Sequence, residues 1–258
     1  VRVCGMQSST VTLSCLSLAA LLLVCADCPG QVLSGPRPPM AETYLDIAVT
    51  YCCHATTLWH DAEPGGYWGG GIAEKDGNGA VRGAFNTMLG HALLAQAWEA
   101  GWLNREQRDR LAACGLAREV LLRRVRACLK YLCAHHKSSP NPAEPTWGQS
   151  WQSSLWLGAA GLAVFLAWDD VPADLRQRLT LIVGAEADRI ALKRPGDYAP
   201  GNTRAEENGW DTHALALALA LDAQSTRAVT WWRALRDYAA NTHSVKADRF
   251  STATLGDE

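Results

Sequence analysis

The chain lacks the short sequence patterns that mark nucleotide, metalloprotease and serine-hydrolase sites. No G-x-S-x-G, H-E-x-x-H, Walker or dinucleotide-binding sequence occurs in its 258 residues, which excludes these common enzyme classes. The histidines show no metal-ligand spacing with a partner, apart from the adjacent His135 and His136. We therefore expect neither a metal nor a cofactor.

A strong net charge is also missing. The formal net charge is −2, the pI is near 6.4, and no group of Lys and Arg residues is interleaved with aromatics. Such a chain offers no basic field to a nucleic acid, so no nucleic-acid partner is expected. With 48% hydrophobic and 19% charged residues, the composition is typical of a globular protein.

Segments with the pattern of a β-strand are scarce. The Ala/Leu alternation of residues 214–221 has the period of a strand, but alanine is the best helix former and is depleted in strands. We therefore predict a helix there. The expected fold class is all-α.

Zinc-ribbon spacing is missing among the nine cysteines. Three of them lie in the first 26 residues, and Cys25 and Cys28 form a C-x-x-C pair without a βαβ context. Cys114, Cys128 and Cys133 follow a helical pattern and are predicted to be small core residues, with a bridge among them left open.

The N-terminal segment has the pattern of a secretory signal. A weakly basic start is followed by an apolar stretch around residues 16–24 and then by small residues. We interpret residues 1–26 as a signal peptide and 27–40 as a linker, which predicts a secreted or periplasmic protein with no membrane contact after cleavage. A retained anchor and a translation start at Met40 are the alternatives.

Apolar periodicity, caps and breakers predict seven helices in the remaining chain. Their approximate ranges are 41–60, 80–100, 104–135, 151–168, 172–192, 204–222 and 226–243. The connections after the second, fourth and sixth helices are short, whereas those after the first, third and fifth are long. Short connections make consecutive helices antiparallel neighbours, so the three long loops are expected at one end.

The predicted helices also alternate in character. The second, fourth and sixth are apolar nearly all round, while the third, fifth and seventh carry a charged face. The first kind is expected inside and the second kind outside. This predicts an (α/α) toroid or incomplete barrel of antiparallel hairpins over residues 41–258, truncated at its C-terminus. The N-termini of its inner helices would favour an anion at the rim that carries the long loops.

Candidate binding residues lie in the first two long loops. Tyr67 and Trp68 are an aromatic pair in a Gly-rich segment and can stack on a sugar ring. Arg82 opens the next helix and can hold a carboxylate. In the second loop, Trp147 and Trp151 stand beside Gln149, and this mixture of indoles and amides suits a carbohydrate groove. The ratio of 11 Trp to 3 Phe supports that interpretation, although at least half of the indoles, Trp231 and Trp232 among them, are expected to be structural.

The third long loop introduces a segment with three charged residues, two asparagines and an indole, GNTRAEENGW, residues 201–210. Thr203 and Glu206 match a capping box. Asn208 near the start of a buried helix needs hydrogen-bond partners, and Glu207 and Trp210 accompany it. His213 is expected to be a packing residue.

These features resemble the α/α-toroid polysaccharide lyases, the heparinase II/III-like and chondroitin AC lyase-like group. The resemblance covers most of residues 41–250 and lies in the helix alternation, the Trp-rich loops and the AEENGW segment. It implies β-elimination of a uronate-containing, anionic polysaccharide. It implies that Asn208 neutralises the uronate carboxylate and that Arg82 or Arg204 clamps it. It also implies that Tyr67 or Tyr198 carries the proton. This sequence lacks the Asn-His pair of several such families.

Two other functions fit the same residues. An (α/α)-barrel glycoside hydrolase or sugar epimerase would use Glu206, Glu207 and Asp211 as acid and base, and a hydrolase needs two carboxyl groups roughly 5–10 Å apart. A secreted glycan-binding or structural toroid would need no catalytic group.

Overall fold

The computed structural model describes residues 36–69, 71–72, 79–195 and 205–243, together with Leu33. These residues are mostly helical, which confirms the predicted all-α class. They form the helices α1 (Ala41–Ala55), α2 (Gly79–Glu99), α3 (Arg105–Ala113), α4 (Arg118–Ala134), α5 (Ser153–Leu166), α6 (Ala173–Ala191), α7 (Ala205–Leu221) and α8 (Ala228–His243). One antiparallel hairpin joins β1 (Trp59–Ala62) to β2 (Gly65–Trp68).

The hairpin corrects the prediction for the first helix and the first long loop. We predicted a helix to about residue 60, but α1 ends at Ala55 and a 3-10 turn, Thr56–Leu58, leads into β1. Aromatic residues favour strands, and Trp59 faces Trp68 across the hairpin. This cross-strand pairing cannot be recognised from either four-residue segment alone.

The predicted helix 104–135 is wrong as a single element, because it is two helices, α3 and α4. Gly115 adopts a φ of +71°. Its N–H donates to Ala112 O at 2.9 Å, and the N–H of Leu116 donates to Leu111 O at 2.8 Å. This pair of bonds is the Schellman ending, for which glycine is favoured because it has no Cβ.

The chain divides into two compact units. In the unit that ends at Glu186, α2 packs against both α4 and α5. Helices α2 and α5 are buried nearly all round, whereas α4 buries one face and exposes charged residues. The predicted alternation of inner and outer character therefore holds for these three helices.

The second unit begins at Ala187, near the end of α6, and contains the packed pair α7 and α8. We expected α7 to be buried all round. Instead it buries mainly one face, which includes Ala214, Leu215 and Ala218, while Leu219 is half-buried. One neighbouring helix covers only one side of another, and this accounts for the difference.

Trp231 and Trp232 on α8 differ in environment. Trp231 is buried and donates its Nε1–H to Asp188 Oδ1 at 2.8 Å, so it is structural as expected. Trp232 is 58% exposed, which corrects the prediction for that residue. In the described part of the chain, every helix is too short or too polar to span a membrane.

Candidate functional site

The hairpin separates its aromatic residues onto two faces. His60 is opposite Tyr67, and Trp59 is opposite Trp68. Since side chains alternate along a strand, His60 and Tyr67 share one face while the two indoles share the other. The rings of Trp59 and Trp68 meet edge to face with centroids 4.7 Å apart.

Glycine allows this hairpin to lie directly on α4. A Cβ on Gly65 would lie 2.3 Å from the carbonyl oxygen of Ala127 and 3.0 Å from the backbone nitrogen of Tyr131. Both atoms belong to the helix backbone and cannot rotate away. Gly65 therefore lets β2 lie directly against α4.

Four rings form a continuous row from the hairpin to the end of α4, and we call them the tyrosine–histidine row: His60, Tyr67, Tyr131 and His135. Successive ring centroids are 5.3, 4.7 and 4.3 Å apart. His60 is exposed, Tyr67 is half-buried, and Tyr131 and His135 are buried. The row thus runs from the surface into the protein.

The inner end of the row contains a protonated phenol and a buried imidazole. Burial raises the pKa of Tyr131, although a backbone hydrogen bond with Ile72 opposes this shift. The Tyr131 hydroxyl therefore keeps its proton. His135 Nδ1 lies 2.9 Å from the carbonyl oxygen of Pro145 and must donate to it. His135 Nε2 is buried with no hydrogen-bond partner.

The second long loop is anchored beside the row by a buried carboxylate. Glu186 and His136 are both fully buried, with His136 Nε2 3.2 Å from Glu186 Oε1. Glu186 also accepts the backbone N–H of Gln149 and, on Oε2, the hydroxyl of Ser153 at 3.1 Å. Three donors on one carboxylate offset much of the cost of burying it.

The hydrogen bonds fix the tautomer of His136. The N–H of Ser138 donates to His136 Nδ1 at 3.1 Å, so the ring hydrogen is on Nε2 and points at Glu186. Gly148 has a φ of +96°, and a Cβ there would lie 2.3 Å from His136 Nε2. The loop can approach this histidine closely only because residue 148 is glycine.

Two of the predicted binding aromatics are packed inside the protein. Trp68 is 2% exposed and lies against His91. Trp147 is 4% exposed and donates its Nε1–H to the carbonyl oxygen of Leu132 at 2.7 Å. Their faces are covered, so neither can stack on a sugar in this arrangement, and we correct their assignment to the groove.

Three other predicted residues are exposed in the same unit. Trp151 is 56% exposed. Gln149 has a φ of +53° and donates its side-chain amide to Ser138 Oγ at 3.1 Å. Arg82 is exposed in the first turns of α2. Tyr67 lies in the row, but no described contact joins Arg82 or Trp151 to it.

The third group of candidates belongs to the second unit. Asn208 is 2% exposed on α7, and Glu207 and Trp210 are half-buried on the same helix. His213 is half-buried, and its Nε2 is shielded from solvent without a hydrogen-bond partner. Tyr198, Arg204 and Thr203, the proposed capping partner of Glu206, lie outside the described residues.

Sequence reasoning missed the residues that join the first two loops. Tyr131 and His135 are one helical turn apart, and this spacing puts two polar aromatics on one face at the end of an otherwise apolar pattern. That signal was available. Glu186 gave no signal, because a single carboxylate in an amphipathic helix has the pattern of a solvated residue.

The described residues contain no group of three or more His, Cys, Asp or Glu that could hold a metal ion. No protein-family model matches the chain, and no curated protein or solved structure matches it significantly.

Proposed function

We propose that the protein is a secreted carbohydrate-active enzyme, a polysaccharide lyase that cleaves uronate-containing glycans by β-elimination. The observation that carries this proposal is the tyrosine–histidine row, which lies where two long loops meet the C-terminal end of α4. The row combines a half-exposed phenol, a buried phenol and a buried imidazole.

The row suits the proton transfers of β-elimination. The reaction removes the proton α to the uronate carboxylate, breaks the bond to the neighbouring glycosidic oxygen, and returns a proton to that oxygen. Tyr67, at the accessible part of the row, is our candidate for the group that exchanges these protons. Tyr131 and His135 lie behind it in the row.

Recognition of the uronate needs positive or hydrogen-bonding groups. In the proposal, Arg82 clamps the carboxylate and Trp151 offers an indole face to a sugar ring. Arg204 and Asn208 belong to the other unit, and no part of this site is assigned to them. The ligand is an anionic polysaccharide, and no cofactor is invoked.

The proposed architecture is an (α/α) toroid. Its support is the burial of α2 and α5 nearly all round and the one-sided burial of α4. The signal peptide over residues 1–26 and the secreted location belong to the same proposal.

The first test is ultraviolet absorbance during incubation with a panel of polyuronates, because β-elimination leaves an unsaturated uronate that absorbs. We expect Tyr67→Phe to lower kcat by about 10²-fold or more. The matched control is Tyr44→Phe, which removes a hydroxyl from a tyrosine that is 64% exposed on α1 and leaves activity unchanged.

The outcomes separate the candidate functions. Unchanged elimination in Tyr67→Phe would overturn its catalytic role, and new reducing ends without an absorbance rise would replace the lyase by a hydrolase.

A further inference from the structure

Helices α1 and α3 lie side by side and in register. Glu42 Oε1 accepts the side-chain amide of Asn104 at 3.0 Å, and further along both helices Thr50 Oγ1 accepts from Arg110 at 2.6 Å. The second contact lies nearer the C-terminus than the first on both helices, so the two helices are parallel. The C-terminal ends of both helices therefore meet, and each end carries a cysteine, Cys53 on α1 and Cys114 after α3.

The two cysteines approach the same backbone carbonyl oxygen. Cys53 Sγ donates to the carbonyl oxygen of Arg110 at 3.6 Å, and the same oxygen accepts the N–H of Cys114 at 3.2 Å. Both residues are reduced and half-buried, so a small reagent can reach them.

The remaining described cysteines differ from this pair. Cys52, Cys128 and Cys133 are buried, and burial raises the pKa of each thiol well above its ordinary value. Buried, protonated thiols in apolar surroundings are inert. Burial and the neighbouring Cys114 also raise the pKa of Cys53, to about 12, so little of Cys53 is thiolate at neutral pH.

We propose that Cys53 and Cys114 form a disulfide by exchange with a low-molecular-weight disulfide such as glutathione disulfide. The Cys114 thiolate attacks one sulfur of the oxidant, forming a mixed disulfide and releasing one thiol. The Cys53 sulfur, losing its proton to solvent, then attacks Cys114 Sγ and releases the second thiol. Two cysteine thiols are oxidised, and one disulfide is reduced to two thiols.

The bond would clamp α1 to the end of α3 and close a loop that contains the hairpin and α2. Closing a long loop restricts the unfolded chain. We therefore expect oxidation to raise the thermal midpoint by about 5–10 °C. This inference is independent of the proposed carbohydrate chemistry.

The test equilibrates the full chain in a glutathione redox buffer, alkylates free thiols and maps peptides by mass spectrometry without reduction. We expect a peptide that links residue 53 to residue 114 and lacks two hydrogen atoms. Fragmentation of the wild-type linked peptide distinguishes Cys53 from the adjacent Cys52, and Cys52→Ala confirms the assignment if that variant folds.

Cys53→Ser is the matched control, because it changes one atom at a half-buried position and should abolish both the linked peptide and the rise in midpoint. Complete alkylation of Cys53 and Cys114 in the folded, oxidised sample would overturn the proposal. A link from Cys114 to any other cysteine would do the same. A linked peptide without a rise in midpoint would overturn the stabilising role.

Discussion

Gly65 shows how one residue decides where the hairpin lies. Alanine at this position would place its Cβ 2.3 Å from Ala127 O, and overpacking against fixed backbone typically costs about 1–3 kcal/mol. We expect Gly65→Ala to lower the free energy of unfolding by about 2–3 kcal/mol, as measured by urea denaturation.

Gly83→Ala is the control for this prediction. Gly83 lies inside α2, and a Cβ there meets nothing within 4 Å. The substitution should stabilise the protein by about 0.5–1 kcal/mol, since alanine is the better helix former. Equal effects of the two substitutions would show that the hairpin does not rest on α4 as described.

Glu186 is the residue on which the second loop depends. Glu186→Ala would remove the acceptor of His136 Nε2, the Gln149 N–H and the Ser153 hydroxyl. Because these buried donors would be left unpaired, we expect a loss of about 3–5 kcal/mol in the free energy of unfolding.

Asp109→Ala provides the comparison for Glu186→Ala. Asp109 pairs with Arg105 at 3.6 Å on the surface of α3, where the two side chains are 71% and 92% exposed. Its removal should change stability by less than about 0.5 kcal/mol. A similarly small effect of Glu186→Ala would contradict the assigned role of the buried network.

At the level of the element, α3 depends on its N-terminal cap. Asn104 Oδ1 accepts the N–H of Gln107 at 2.9 Å, and Gln107 Oε1 accepts the N–H of Asn104 at 3.1 Å. Asn104→Ala should therefore cost about 1 kcal/mol in thermal or chemical unfolding. Asn104→Ser keeps a capping oxygen and should recover most of the loss; no recovery would assign the effect to the lost contact with Glu42.

At this scale the sequence-based prediction was wrong in two places, for two different reasons. One is the break between α3 and α4, and the other is the hairpin. The Cys-Gly-Leu ending was visible in the sequence, but the apolar periodicity on both sides suggested continuity. The hairpin, by contrast, has two four-residue strands whose pairing depends on contact with α4. A local pattern cannot contain that contact.

At the level of the whole molecule, buried histidines predict acid sensitivity. Burial lowers the pKa of His91 to about 4, although a hydrogen bond to the Thr87 carbonyl opposes the shift, and burial lowers that of His213 to about 4. An unfolded histidine has a pKa near 6.5. The unfolded chain therefore binds more protons below that value, and stability is lost as the pH falls from about 6.5 through about 4.

For His91 alone this amounts to about 2 kcal/mol between about pH 7 and pH 5. Urea denaturation across this range measures the loss. His91→Leu supplies an apolar side chain and removes the titrating group, so its stability should fall less steeply with acidity. An unchanged slope in this variant would show that other groups govern the acid sensitivity.

The sequence by itself determined the all-α class, the approximate position of most helices and the buried character of α2 and α5. These follow from helix propensity and apolar periodicity, which are local properties. Tertiary structure alone decided which polar residues meet. Tyr67 is distant in sequence from Tyr131 and His135. Trp68 and Trp147 became buried because other elements cover them. Such contacts depend on packing between elements, and the periodicity of a single segment does not predict that packing.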